Sequence, residues 1–309
     1  MNTEPISPTQ PASALWAVPP LPRDESGAIS ADRLQSLVRH IEDGGISTLL
    51  FGGNAIFYHL RLAEYRAAVE MLPEVVSPDT AVIPSLGPAY GTMLDQVDIL
   101  RDHDYPAAMV LPQRHIIKPD GYATAIRRVS DALDRPLVLY LKYDRVLSVG
   151  TVKSLVDDGV VAAVKYAIVR ADTADDPFLQ ELTEVTDPVR IVSGLGELPA
   201  PAHVRGFGLG GFTTGSGCVA PRLSLALLAA LRDGDDDRAA SLCETFGPLE
   251  RLRNKHSPIT VLHAAVELAG ITPTGPVIPL LHPIDDAARP AVKAAAEELL
   301  ADDREQAEV

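Results

Sequence analysis

A lysine closes one of the most apolar short runs in this chain. In Val160-Val161-Ala162-Ala163-Val164-Lys165, five small or branched apolar residues lead directly into Lys165. A strand apolar on both faces belongs to a parallel sheet covered on both sides. Burial disfavours a charged amine, so its pKa falls and it becomes nucleophilic. Such a lysine can form a Schiff base with a carbonyl substrate; the alternative is a lysine that simply emerges into solvent at the strand end. Tyr140 ends the preceding candidate strand, Leu137–Tyr140. Paired strands lie about 4.8 Å apart, so the amine and the phenol can face one pocket. A phenol both donates and accepts hydrogen bonds, which suits proton transfer around a carbinolamine. Alternation puts Val161, Ala163 and Lys165 on one face. The plainer reading of Tyr140 is a core aromatic with its hydroxyl at the rim.

The elements that must position these residues repeat along the chain as a short β-branched segment, a turn and an amphipathic helix. The predicted strands are Leu15–Val18, Thr48–Phe51, Ala81–Ser85, Ala107–Leu111, Leu137–Tyr140, Val161–Lys165, Arg190–Ser193 and Gly210–Thr213. Helical patterns lie at Ala31–Asp43, Leu62–Leu72, Ala123–Leu133 and Thr151–Asp157, with Ser30 as a cap and Gly44-Gly45 as a stop for the first. Strand-helix alternation of this length predicts a (β/α)₈ barrel, with a doubly wound open sheet as the alternative. Further helical patterns follow: Arg222–Leu231 into Asp237–Arg253, then Ile259–Leu268 and Pro290–Leu300. The expected organisation is a disordered leader over 1–12, the barrel over 13–221 and C-terminal helices packed on it over 222–309.

A barrel's active site sits at the C-terminal ends of its strands. Those ends carry Gly52-Gly53-Asn54, Ser85, Pro112 to His115, Tyr140, Lys165, Gly194 and Thr213-Thr214.

Composition narrows the function classes. The chain has 309 residues, 46% hydrophobic but only 5% aromatic, so its core is built from Val, Leu, Ile and Ala. A formal net charge of −15 argues against nucleic acid and anionic membranes as partners. No segment reaches the ~20 apolar residues of a membrane span. The two cysteines, Cys218 and Cys243, make neither a disulfide framework nor a metal cluster and suit a reducing cytoplasm.

From about Ala14 to Leu300 the chain resembles the dihydrodipicolinate synthase / N-acetylneuraminate lyase family, the class I pyruvate-type aldolases. The resemblance rests on Leu139-Tyr140, Val164-Lys165, Ser193-Gly194 and the run Gly208-Leu209-Gly210-Gly211-Phe212-Thr213-Thr214 continuing to Val219-Ala220-Pro221. It implies that Lys165 forms an imine with a small 2-keto acid and that Tyr140 relays protons. It also implies carboxylate binding by Gly52, Gly53 and Asn54 through backbone N–H groups and the Asn54 side chain. Arg145 falls where the family's synthases place a carboxylate-recognising arginine; the alternative is a solvated loop charge. Gly194 and Thr213 complete the expected substrate-binding set, with no cofactor or metal, and the resemblance suggests a homo-oligomer, tetramer or dimer.

The departures are specific. Gly52-Gly53-Asn54-Ala55-Ile56 replaces the family's Gly-Thr-Thr-Gly-Glu, and Pro112-Gln113-Arg114-His115 replaces Pro-Tyr-Tyr. A lysine-pathway synthase is therefore not expected. Tyr140-Leu141-Lys142-Tyr143-Asp144-Arg145 resembles the branch that dehydrates sugar-derived keto acids. Lys142 is the rival amine, but Tyr143 and Asp144 mark a loop in which it stays hydrated. The expected function is a Schiff-base-forming lyase, aldolase or dehydratase. The alternative is a barrel that binds a carboxylate without turnover.

Other signals carry little. Gly206-Phe207-Gly208-Leu209-Gly210-Gly211 matches a dinucleotide fingerprint but leads into a strand. His59, His115, His203 and His263 lack metal-ligand spacing. Ser216-Gly217-Cys218 lacks the context of a nucleophile elbow, and Asp235-Asp236-Asp237 reads as a solvated turn.

Overall fold

The computed structural model describes residues 1–6 and 15–308. Eight parallel strands close into a barrel: β1 (Leu15–Ala17), β2 (Thr48–Phe51), β3 (Ala81–Leu86), β4 (Ala108–Val110), β5 (Leu137–Leu141), β6 (Val161–Tyr166), β7 (Ile191–Ser193) and β8 (Gly211–Thr214). Closure comes from β8 pairing with β1, Phe212 opposite Leu15 and Thr214 opposite Ala17. The open-sheet alternative is thereby excluded. Every strand is buried almost throughout, as a sheet covered on both faces demands.

Helices α1 (Ala31–Asp43), α2 (Leu62–Val75), α3 (Tyr90–Leu100), α4 (Pro119–Leu133), α5 (Val149–Asp157) and α6 (Pro177–Val185) follow the first six strands. Ser30 caps α1 by accepting from the Arg33 N–H, as its sequence position predicts. After β7 there is only a wide turn over Pro201–Gly206. After β8 come α7 (Pro221–Asp233), α8 (Asp236–Lys255), α9 (Pro258–Leu268) and α10 (Arg289–Glu305).

The expected helical patterns Arg222–Leu231 and Asp237–Arg253 are α7 and α8, parted where Gly234 takes φ +76° and Asp235 then caps α8 through the Arg238 N–H. Helix α7 packs on β1 and β8 as the barrel's own outer helix. The barrel unit thus runs past the boundary drawn at 221. The leader expected over 1–12 falls partly on residues 7–12, outside the described residues. Asn2, within it, donates its backbone N–H to Thr80 O at 2.8 Å and bridges β3.

No helix among the described residues is long and apolar enough to cross a membrane.

Candidate active site

Strands β5 and β6 place Tyr140 directly opposite Lys165. Their register shifts between Leu137 and Val138, leaving Ala162 as an extra residue on β6. The alternation expected along β6 therefore holds only from Ala163 onward; a bulge of this kind re-aims the side chains beyond it. Tyr166 points out of the barrel, where its hydroxyl donates to Asp176 at 2.6 Å and its ring stacks on Phe178. Its neighbour Lys165 must then point in.

Lys165 is only 6% exposed and Tyr140 8%. The Lys165 Nζ lies 4.6 Å from the Tyr140 ring centre. Burial first, and the nearby Lys142 second, lower the Lys165 pKa to about 7. The amine is therefore substantially neutral at physiological pH. The Tyr140 phenol is pushed well above its ordinary value by burial, with Tyr143 adding to the effect, and so keeps its proton. The pKa of the Tyr58 phenol, on the turn after β2, is likewise raised, by burial first and then by Tyr140.

Both groups open into a cavity of about 250 Å³ at the C-terminal ends of the strands. That size lies just below the ~300–1,000 Å³ typical of drug-sized ligands, so the site suits a small molecule. A larger hollow of about 340 Å³ between α3 and α4 contains neither Lys165 nor Tyr140. Gly194, after β7, is required by packing. A Cβ there would lie 2.9 Å from Lys165 Cε and 2.8 Å from Ala167 Cβ. Gly52 is hemmed in likewise, with a Cβ falling 2.7 Å from Met109 Cε and 3.0 Å from Ser85 Oγ.

The structure brings Lys165, Tyr140, Gly52, Gly53, Asn54, Gly194 and Thr213 to this one cavity. Among the described residues, the backbone N–H groups of Gly53 and Asn54 have no acceptor. They can receive a carboxylate. Two expectations fail here. The Asn54 side chain is already engaged, donating Nδ2 to Val18 O at 2.9 Å. Arg145 does not line the cavity. Its backbone takes φ +50°, and its guanidinium lies over the Phe178 ring in a two-pronged pair with Glu181, the side chain 53% exposed. The left-handed turn aims it outward, to a partner on α6.

Lys142 also lines the cavity, and its pKa is lowered by partial burial, yet the residue as a whole remains exposed. Lys165 is the deeper and more perturbed amine.

Sequence reasoning missed the wall supplied by α8 and α9. Glu250, Arg253, Pro258 and Ile259 line the cavity. His263 on α9 donates Nε2–H to Asn54 O at 2.7 Å, tethering the strand-2 loop, and burial keeps the ring neutral. A signal existed for two of these. The buried stripe of α8 runs Ala239, Leu242, Phe246, Leu249, Glu250, Arg253, so helical spacing carries two charges onto the core face.

Beneath this wall Glu197 is fully buried. It accepts from Thr214 and Ser224, and burial together with Glu250 raises its pKa.

Comparison with known proteins agrees with this architecture. The model of the Dihydrodipicolinate synthetase family matches residues 13–299. A protein of Streptomyces coelicolor named "Probable 5-dehydro-4-deoxyglucarate dehydratase 2" is 26% identical over 281 residues, covering 88% of this chain and 85% of that protein. A 4-hydroxy-tetrahydrodipicolinate synthase of Methanopyrus kandleri is 27% identical over 273 residues, 85% of this chain and 88% of its own. Among solved structures, dihydrodipicolinate synthase from Oceanobacillus iheyensis superposes with a TM-score of 0.81 at 25% identity, over 94% of this chain and 96% of that one. A Ruminococcus gnavus sialic acid aldolase, a catalytic lysine mutant, shares the fold with a TM-score of 0.84 at 15% identity, over 97% and 99% of the two chains.

Proposed function

Because the chain belongs to the Dihydrodipicolinate synthetase family and is a lyase of the class I type, we propose that it acts on a small 2-keto acid through a Schiff base on Lys165. The observation that carries this reading is the enclosed amine of Lys165, its pKa near 7, facing the Tyr140 ring inside a small cavity. The neutral amine attacks the keto carbon. Tyr140 transfers protons as the carbinolamine loses water, and Gly53 and Asn54 hold the substrate carboxylate through backbone N–H groups. The cationic imine then accepts the electrons released when a C–C bond breaks or a proton leaves the adjacent carbon. Elimination of a β-hydroxyl as water follows from that enamine, so aldol cleavage and dehydration share one intermediate.

Dehydration of a sugar-derived keto acid is the more specific reading. It is supported by the Streptomyces coelicolor relative and by the lack of a hydroxyl in Gly52-Gly53-Asn54. A barrel that merely binds a carboxylate finds no support in a site with a depressed lysine beside a phenol. A homo-oligomer, dimer or tetramer, belongs to this reading on family grounds. So does residence in the cytoplasm, which the free thiols of Cys218 and Cys243 suit.

Borohydride trapping with pyruvate, followed by mass spectrometry, is the direct test. A reduced pyruvyl adduct on Lys165, lost in Lys165→Ala, is the expected result. An adduct that survives that change transfers the role to Lys142, and no adduct with any keto acid refutes the imine.

A further inference from the structure

We infer that the buried ion pair of Glu250 and Arg253 on α8 is a recognition site for a hydroxyl on the substrate's carbon chain, which makes the natural substrate a polyhydroxylated 2-keto acid rather than a simple one. The inference rests on the keto-acid reading above and specifies its substrate class.

Both residues are more than nine-tenths buried, and both line the cavity into which Lys165 opens. Their mutual bond uses one atom of each, Arg253 Nη1 donating to Glu250 Oε1. Ser216 Oγ donates to the same Oε1 at 2.5 Å, and Arg253 Nε donates to Pro258 O at 3.2 Å. Those bonds are enough to anchor α8 against the barrel. They leave Glu250 Oε2 and Arg253 Nη2 without a protein partner among the described residues. Neither atom is sealed in the core, so an acceptor and a donor stand accessible at the cavity wall, available to a ligand group that enters it.

Two glycines keep those atoms uncovered. A Cβ at Gly196 would lie 3.2 Å from Glu250 Oε2, and one at Gly215 would collide with Arg253 Nη2. Both glycines line the same cavity. The chemistry of the pair selects the ligand group. A second carboxylate would be drawn to Arg253 but repelled by Glu250. A hydroxyl both donates and accepts, so it can give its proton to Oε2 while receiving one from Nη2.

The test compares two six-carbon keto acids that differ only in hydroxyls. They are 2-keto-3-deoxygluconate, with three hydroxylated carbons, and 2-oxohexanoate, with none. Binding of each to the native protein is measured by calorimetry, and imine formation is read separately by borohydride trapping with pyruvate. The hydroxylated probe is expected to bind at least tenfold more tightly. In the double variant Glu250→Leu/Arg253→Met, which removes both charges of the pair together, that preference is expected to fall below about twofold. Equal binding of the two probes by the native protein, or binding of neither, overturns the inference, and needs no variant to fold. A preference that survives the double variant overturns it too. If pyruvate gives no adduct while the preference stands, only the Schiff-base reading fails.

Discussion

The Lys165 amine faces the ring of Tyr140 at 4.6 Å, across the one pair of strands where both residues occupy the same register position. This contact places an amine and a phenol at one small cavity. Since burial drives the amine toward its neutral form and the phenol toward its protonated form, both are in the state that imine formation needs.

The rate of trapping with pyruvate is expected to rise with pH through a midpoint near 7, because only the neutral amine attacks and Lys165 loses its proton around that pH. Lys142 is the second cause of the depression. Lys142→Met should therefore move the midpoint upward. A downward shift, or a midpoint near the ordinary lysine value in the native protein, contradicts the assignment.

Removing the amine is expected to stabilise the fold. An unfolded Lys165 holds its proton to about 10.5, whereas the folded one releases it near 7. Between those values the unfolded chain binds more protons, so native stability rises with pH. Below pH 7 the full cost of a buried ammonium is present. Lys165→Met should therefore raise Tm, and its advantage should be larger at pH 6 than at pH 9, by on the order of 2–3 kcal/mol. Denaturant titration at the two pH values decides this.

Gly194→Ala inserts a methyl 2.9 Å from Lys165 Cε. The expected cost is roughly 1–3 kcal/mol of stability. A displaced lysine should also slow pyruvate trapping by about tenfold or more. Unchanged trapping kinetics would show that the lysine has another route to the cavity.

Arg145→Ala should scarcely alter the half-saturating pyruvate concentration, because its guanidinium is committed to Glu181 outside the cavity. A solvent-exposed pair of this type contributes little to stability. A rise of tenfold or more would mean that the loop turns inward when substrate binds.

His263→Leu removes the donor to Asn54 O. It also removes the buried, unpartnered Nδ1, so the net stability change should stay within about 1 kcal/mol. The loop proposed to hold the carboxylate loses its tether, and the half-saturating pyruvate concentration should rise several-fold with maximal trapping little changed. Equal losses in both quantities would point to a general defect instead.

Much of the fold was legible because barrel strands buried on both faces write themselves as short β-branched runs. Thr48–Phe51 and Ala31–Asp43 coincide with β2 and α1 residue for residue. Lys165 and Tyr140 were legible for the same reason: a polar group at the end of an apolar strand has one place to go. Arg145 was misplaced because its direction depends on a left-handed backbone turn that no residue type at that position announces. Glu250 and Arg253 lie in sequence far from every strand end, and only tertiary packing of α8 brings them to the barrel mouth.

The wall formed by α8 and α9 has a consequence for biosynthesis. Ribosomal synthesis makes Lys165 some 90 residues before the segment carrying Arg253 and Pro258. Until those helices dock, the cavity lacks one wall, so a chain synthesised only as far as β8 carries Lys165 and Tyr140 without a complete binding pocket.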